Sequence, residues 1–263
     1  MEHEPKVLAV MRARARREDG MTLPELLVTL TIALVVTLAV FSLVEVTMRK
    51  SGEASARVDA VQRGRSAMDL VTRQLRSQVC LQNTSVVGMV KPRSIESATA
   101  NEVVFYADTR DTSVNAPTPP PGSPTGPERR RIALVDGTIV EERWALNAVG
   151  DKYSHAPAAT AARNLLTNVE LDQSDGAPAP TPLFRYFAYD QTLTVPQPTK
   201  ELVPNPALTA DQLQSVARIQ ITYRAHPTQR RADGRASTVF ENDVTARTVD
   251  PNADPSELAN PCL

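Results

Sequence analysis

The dominant pattern in the chain is one unbroken apolar run. From Leu26 to Val44 there is no charged residue, and the only polar side chains are Thr29, Thr31, Thr37 and Ser42. As an α-helix rising about 1.5 Å per residue, the run covers roughly 28 Å, close to the hydrocarbon thickness of a bilayer. Beyond it the pattern turns amphipathic. Gly52 to Cys80 contains no proline, and Val61, Met68, Val71, Leu75 and Val79 recur at near-helical spacing. The other faces carry Arg57, Asp59, Arg63, Arg65, Asp69, Arg73 and Arg76. The pattern predicts one long helix over residues 21–80, membrane-inserted over about 22–48 and amphipathic over 52–80. Gly52 and Gly64 each weaken such a helix by about 1 kcal/mol relative to Ala and are candidate bend points.

From residue 81 onward the period becomes that of strands. Glu102–Ala107 is a short β-branched and aromatic run, and Arg130–Val135 and Thr138–Leu146 flank Asp136-Gly137, the best two-residue hairpin signal in the chain. Leu183–Tyr189 holds four of the ten Phe and Tyr residues. In Val216–Arg224, Ile219, Ile221 and Tyr223 alternate with Arg218, Gln220, Thr222 and Arg224, and a last strand is expected over Ser237–Ala246. Thr209-Ala210-Asp211-Gln212 has the spacing of a capping box and predicts a short helix. Two Pro-rich stretches, Ser113–Pro127 and about Thr192 to Pro206, read as irregular loops. The expected architecture is α+β: one long helix laid against an antiparallel sheet, with residues 81–263 forming a single β-rich head.

Composition narrows the function classes. Lys and Arg total 29 against 30 Asp and Glu, so no bulk polyelectrolyte partner is implied. Residues 1–20 are locally basic, with Lys6, Arg12, Arg14, Arg16 and Arg17 before the apolar run, which places the N-terminus in the cytoplasm and the head outside. Arg49 and Lys50 beyond the run weaken that asymmetry. An ordinary secretory signal is the rival, but its apolar core is about 7–15 residues and ends at a small-residue cleavage site, which the Phe41–Met48 segment does not offer.

The residue that composition leaves unexplained is Glu25, a carboxylate at the threshold of an apolar helix. It either sits at headgroup level, where an acid costs little, or it has a partner. Its neighbours, Gly20-Met21-Thr22-Leu23-Pro24-Glu25-Leu26-Leu27-Val28, resemble the N-terminal signal of type IV prepilins and type II secretion pseudopilins, whose common form is Gly-Phe-Thr-Leu-Ile-Glu-Leu-Leu-Val; seven of nine positions agree. The resemblance implies cleavage after Gly20 by a membrane prepilin peptidase, leaving residues 1–20 as a cytoplasmic leader. It implies N-methylation of Met21 and an ion pair between Glu25 and the α-amino group of a neighbouring subunit that fixes register during assembly. Met21 departs from the usual Phe. Pro24 departs from a branched aliphatic, but proline is acceptable in the first turn of a helix, where its missing N–H has no partner anyway. Val61–Cys80, Leu183–Asp190 and Ile219–Tyr223 are also similar, in scattered patches, to PulJ/PilW-type minor subunits.

What the resemblance implies is a pilin-like fold and a non-enzymatic minor pilin or pseudopilin. Such a subunit is a single-pass protein of the inner membrane that joins a cell-surface or periplasmic filament. Its implied partners are the peptidase, other pilin-like subunits, the inner-membrane assembly platform and the membrane. Two readings from other classes stand beside it: an anchored receptor or adhesin head that does not polymerise, and a DNA-uptake subunit using Arg129-Arg130-Arg131 or Arg230-Arg231 with Arg235.

The remaining candidate chemistry is sparse. Cys80 and Cys262 are an even pair in a domain facing an oxidising compartment, so they form one disulfide or stay two unpaired thiols. Two cysteines without a histidine cluster disfavour zinc. His155 and His226 lie in loop-like sequence and read as surface residues. Asp108, Asp111, Asp172, Asp175 and Asp190 are scattered acids without calcium-loop spacing. No hydrolase, phosphate-binding or metalloprotease motif is present, and no cofactor is expected.

Overall fold

The computed structural model describes residues 21–81, 93–107, 128–149, 152–155, 157–173, 178–228, 237–246 and 249. The loop expected at Ser113–Pro127 lies outside them. The chain forms two units, Met1–Glu53 and Ala54–Leu263.

Helix α1, Leu23–Arg76, contributes to both units. It opens with Pro24 and Glu25 in its first turn and with the Leu26 amide donating to the Thr22 carbonyl at 3.1 Å. It closes at Arg76. The Ser77 amide and hydroxyl satisfy the carbonyls of Arg73 and Gln74, and Arg73 and Arg76 place positive charge at the negative end of the helix dipole. The chain is then drawn off into extended pairing, with Gln78 bridged to Ala107 and the Val79 amide donating to the Tyr106 carbonyl at 2.9 Å.

In the second unit the buried stripe of α1 is Ala60, Gly64, Ala67, Met68, Val71, Thr72, Gln74 and Leu75. Val61, expected on that stripe, lies only at its margin. Small residues at the near end of the seam let the sheet approach closely. At Gly64 the space a Cβ would need is filled by the Phe240 ring, whose Cε2 lies 2.2 Å from that position. The buried Tyr223 hydroxyl donates to the Gly64 carbonyl at 2.8 Å. Gly64 is therefore a docking notch in a continuous helix rather than the expected bend point.

The single expected sheet is two, both antiparallel. The first contains β1 (Ile95–Ala98), β2 (Glu102–Ala107), β3 (Glu128–Val135), β4 (Thr138–Val149) and β5 (Lys152–His155) in that order, with β6 (Ala161–Thr167) also on β4. The second is ordered β11-β10-β8-β9: β8 is Phe184–Asp190, β9 Gln197–Leu202, β10 Arg218–Ala225 and β11 Thr238–Thr245. Strand β7 (Val169–Glu170) also pairs with β10. The β3–β4 turn has Asp136 at φ 47° and Gly137 at φ 71°, the left-handed pair that a tight hairpin needs. Strand β9 occupies the middle of the stretch expected to be a loop from Thr192 to Pro206. The short helix α2 (Ala210–Ser215) starts at the anticipated capping box: Thr209 Oγ1 accepts from the Gln212 amide at 3.3 Å and Gln212 Oε1 from the Thr209 amide at 2.9 Å.

One core joins the sheets to the helix. Met68, Val71 and Leu75 pack with Val103, Phe105, Ile132 and Ile139 of the first sheet and with Phe184, Tyr186, Ile219, Ile221 and Tyr223 of the second. The phenols inside it are bonded. Tyr186 donates to the carbonyls of Thr99 and Glu102, and burial pushes its pKa well above the ordinary value. Unbonded, such hydroxyls would each cost about 1–3 kcal/mol.

Candidate functional site

The first candidate site is the start of α1. Met21 and Thr22 precede the helix in non-helical backbone, so the prospective new N-terminus stands clear of the helical turns; Gly20 lies outside the described residues. Glu25 is in the first turn and exposed, where the unpaired amides of the helix N-terminus favour a negative charge.

The apolar run that follows is unburied throughout, from Leu26 (51% exposed) through Phe41 (70%) to Val44 (43%). Burying that much aliphatic surface would gain about 1.5–3 kcal/mol per large side chain, so a surface of this kind belongs in lipid or against other helices. The threonines within it are already satisfied. Thr29 donates to the Leu26 carbonyl at 2.9 Å, Thr31 to Val28 at 2.8 Å and Thr37 to Ala33 at 2.7 Å. Hydroxyls bonded to their own helix enter a bilayer without an unmet donor. Past the run, charges return as local pairs, Glu45 with Arg49 and Lys50 with Glu53 at 3.2 Å.

Among the described residues of the head, many charges pair with one another. Arg129-Arg130-Arg131, considered for DNA contact, is paired throughout. Arg129 makes a bidentate contact with Glu96 at 2.7 and 3.0 Å and stacks over Trp144 at 4.5 Å. Arg131 bridges Glu102 and Glu142 at 2.6 and 2.7 Å. Arg130, 5% exposed, pairs with Glu128 and with the fully buried Glu141. Glu141 also meets Arg163, and Arg143 lies 3.7 Å away. A buried carboxylate is costly alone; three arginines around it make the site tolerable and fix the register of β3, β4 and β6. Burial alone would raise the Glu96 carboxyl, but the Arg129 contact and a hydrogen bond from Tyr106 outweigh it and hold the group below the usual carboxylate range.

His226, expected at the surface, is buried at 5% exposure. Its Nε2 lies 2.9 Å from Glu170 and its carbonyl accepts from Arg63 of α1. Pairing of β7 with β10 pulls the loop-like sequence around it into the fold. His155 is exposed as expected. Asp172 pairs with Arg224 at 2.7 Å, and Asp190 accepts from the hydroxyl and amide of Thr192, which holds its carboxyl below the ordinary value. Asp108, Asp111, Asp175, Arg230, Arg231 and Arg235 lie outside the described residues. Among the described residues no three His, Cys, Asp or Glu side chains converge as a metal site. Cys80, just past α1, is half-buried and disulfide-bonded; Cys262 lies outside the described residues.

Two features were missed in the sequence, the Gly64–Tyr223–Phe240 contact and the Glu141 hub. Glu141 had a signal. It occupies the Ile139 face of β4, where the alternation calls for an apolar residue.

No curated protein matches the chain in sequence. Among solved structures, the chain is similar to one from the GspK-GspI-GspJ complex of the enterotoxigenic Escherichia coli type 2 secretion system. That similarity is 10% identity over 73% of this chain and 99% of that chain, with a TM-score of 0.36, and a superposition of that quality supports no argument about this protein. Residues 15–41 match the family described as Prokaryotic N-terminal methylation motif. The chain thus carries a prepilin-type N-terminal signal, seated at the first turn of an unburied apolar helix.

Proposed function

We propose that the chain is a minor pilin-like or pseudopilin structural subunit of a type IV pilus-like or type II secretion filament. The observation that carries this reading is the coincidence of the methylation motif with the start of an unburied apolar helix. In this reading prepilin peptidase cleaves between Gly20 and Met21, and Met21 becomes the methylated N-terminus. The protein then resides in the inner membrane, N-terminus inside and head outside, until the assembly platform transfers it to the filament. The Leu26–Val44 surface exchanges lipid for the helices of other pilin-like subunits. Glu25 meets a neighbour's α-amino group within that bundle and sets the axial register. The head, roughly 81–263, has no catalytic task, and a disulfide between Cys80 and Cys262 ties its C-terminus to the end of the helix.

Glu25→Ala tests the assembly role. Removing one partner of a buried ion pair costs about 3–5 kcal/mol. The variant is therefore expected to be processed normally, to stay in the membrane, and to be lost from filament fractions; undiminished recovery there would contradict the assembly role of Glu25, and absence of the parent itself from those fractions would favour a non-polymerising anchored head. The disulfide closes a loop of about 180 residues, worth roughly 4–5 kcal/mol in the chain-entropy account. Peptide mapping without reduction should yield a Cys80–Cys262 peptide, and recovery of Cys262 as a free thiol would contradict the pairing.

A further inference from the structure

Most described arginines of the second unit find an acid inside the fold. Arg63 pairs with Asp59 at 3.0 Å, and Arg129, Arg131, Arg185 and Arg224 are bound by acids from other strands or segments. The outer face of α1 is different. Arg65, Asp69, Arg73 and Arg76 are all exposed and fall at i, i+4, i+8 and i+11, which is one face of the helix. Among the described residues none of these three arginines has an ion pair. Asp69 is the one acid in the row, so the face carries an excess of positive charge.

Strand β11 delivers the chain to this face. Phe240 lies against Gly64, and the Asn242 side-chain amide donates to the hydroxyl of Thr72, next to Arg73, at 3.2 Å. β11 therefore advances along α1 toward Arg76, and the Ala246 amide beyond it donates to the Ala217 carbonyl at 2.8 Å. Cys80, four residues past Arg76, is disulfide-bonded, and the chain's other cysteine is Cys262. The fifteen residues between Ala246 and Cys262 are thus anchored at both ends near the close of α1. Fully extended they would span about 50 Å, so they have ample length to lie over it. Residues 250–262 carry Asp250, Asp254 and Glu257 and no Lys or Arg. An unpaired basic row and a purely acidic segment are brought to the same end of one helix.

We propose that residues 250–261 lie along the outer face of α1, with Asp250, Asp254 and Glu257 over Arg65, Arg73 and Arg76, and that the Cys80–Cys262 bond holds them there. This inference rests on the disulfide in the reading above and is independent of the filament role. A single exposed ion pair is weak and is screened by salt. The tether changes the balance, since a segment fixed at both ends meets the row at an effective concentration that a free acidic peptide does not reach. Cover of this kind is lifted by reduction or by high salt, either of which bares the arginines of α1.

The test is arginine modification by phenylglyoxal on the full chain in detergent micelles, read by peptide mass mapping. In the oxidised protein at low salt, Arg65, Arg73 and Arg76 are expected to react about threefold or more slower than in a variant carrying Asp250→Asn, Asp254→Asn and Glu257→Gln, which keeps both cysteines. Cys262→Ser should react as fast as that variant. So should the parent in about 1 M salt, where the Debye length has shrunk to about 3 Å. Buried Arg130 should stay unreactive in every sample, which separates uncovering from unfolding. Equal rates in the parent and the triple variant, with the Cys80–Cys262 peptide recovered, would overturn the cover alone. A free Cys262 thiol would overturn it together with the disulfide. Protection that grows with protein concentration would overturn it in favour of acids from a second copy.

Discussion

At the residue scale, this protein balances its charges pairwise. Arg129 with Glu96, Arg131 with Glu102 and Glu142, Arg185 with Glu201 and Arg224 with Asp172 each join different strands or segments. Exposed pairs of this sort contribute little, about 0–1 kcal/mol, whereas the largely covered Glu96–Arg129 contact contributes more. Because Glu96 is held below its unfolded value of about 4.3, its contribution is fully present above that pH and is lost as pH falls through the lower folded value. Acid denaturation of Glu96→Gln should therefore show a flatter fall in stability below about pH 4.3 than the parent. An unchanged acid limb would show that Glu96 is not among the groups that matter. This part of the fold was poorly legible. The Arg129-Arg130-Arg131 triplet looks like a free basic cluster in sequence, because its acidic partners other than the adjacent Glu128 come from β1, β2 and β4, which only the fold assembles.

At the scale of elements, legibility followed local chemistry. The Asp136-Gly137 hairpin, the Thr209 capping box and the strands with clean alternation carry their instructions within a few residues, and each formed where its sequence said. Strands β1, β6 and β9 did not declare themselves, since Ile-Glu-Ser-Ala, Ala-Ala-Arg-Asn-Leu-Leu-Thr and Gln-Pro-Thr-Lys-Glu-Leu lack a strand pattern. Each is extended because a neighbour offers hydrogen bonds. Gly64 is the same lesson on the helix. Its helix penalty is visible in sequence, but its use as a notch depends on Phe240, far along the chain. Gly64→Leu should destabilise the second unit by about 1–3 kcal/mol despite a better helix former. Phe240→Ala should relieve part of that loss, with a coupling of about 0.5–3 kcal/mol in a double-mutant cycle by chemical denaturation. Additive effects would show that the notch and the ring do not act together.

At the scale of the whole molecule, the division of labour is between an apolar run, Leu26–Val44, that is exposed among the described residues and a head whose described charged side chains largely pair with one another. The first was plain in the sequence, because a nineteen-residue uncharged run has few physical outcomes and the motif before it is specific. The head's role was not plain: its conspicuous Arg129-Arg130-Arg131 cluster is paired within the fold, and among the described residues no three His, Cys, Asp or Glu side chains converge as a metal site. The central claim is that the N-terminal signal is acted on. Intact mass with N-terminal sequencing of the protein from its native membrane tests it most directly. The account predicts a mature chain beginning at N-methylated Met21, with residues 1–20 gone. A chain that still carries Met1–Gly20 would contradict it.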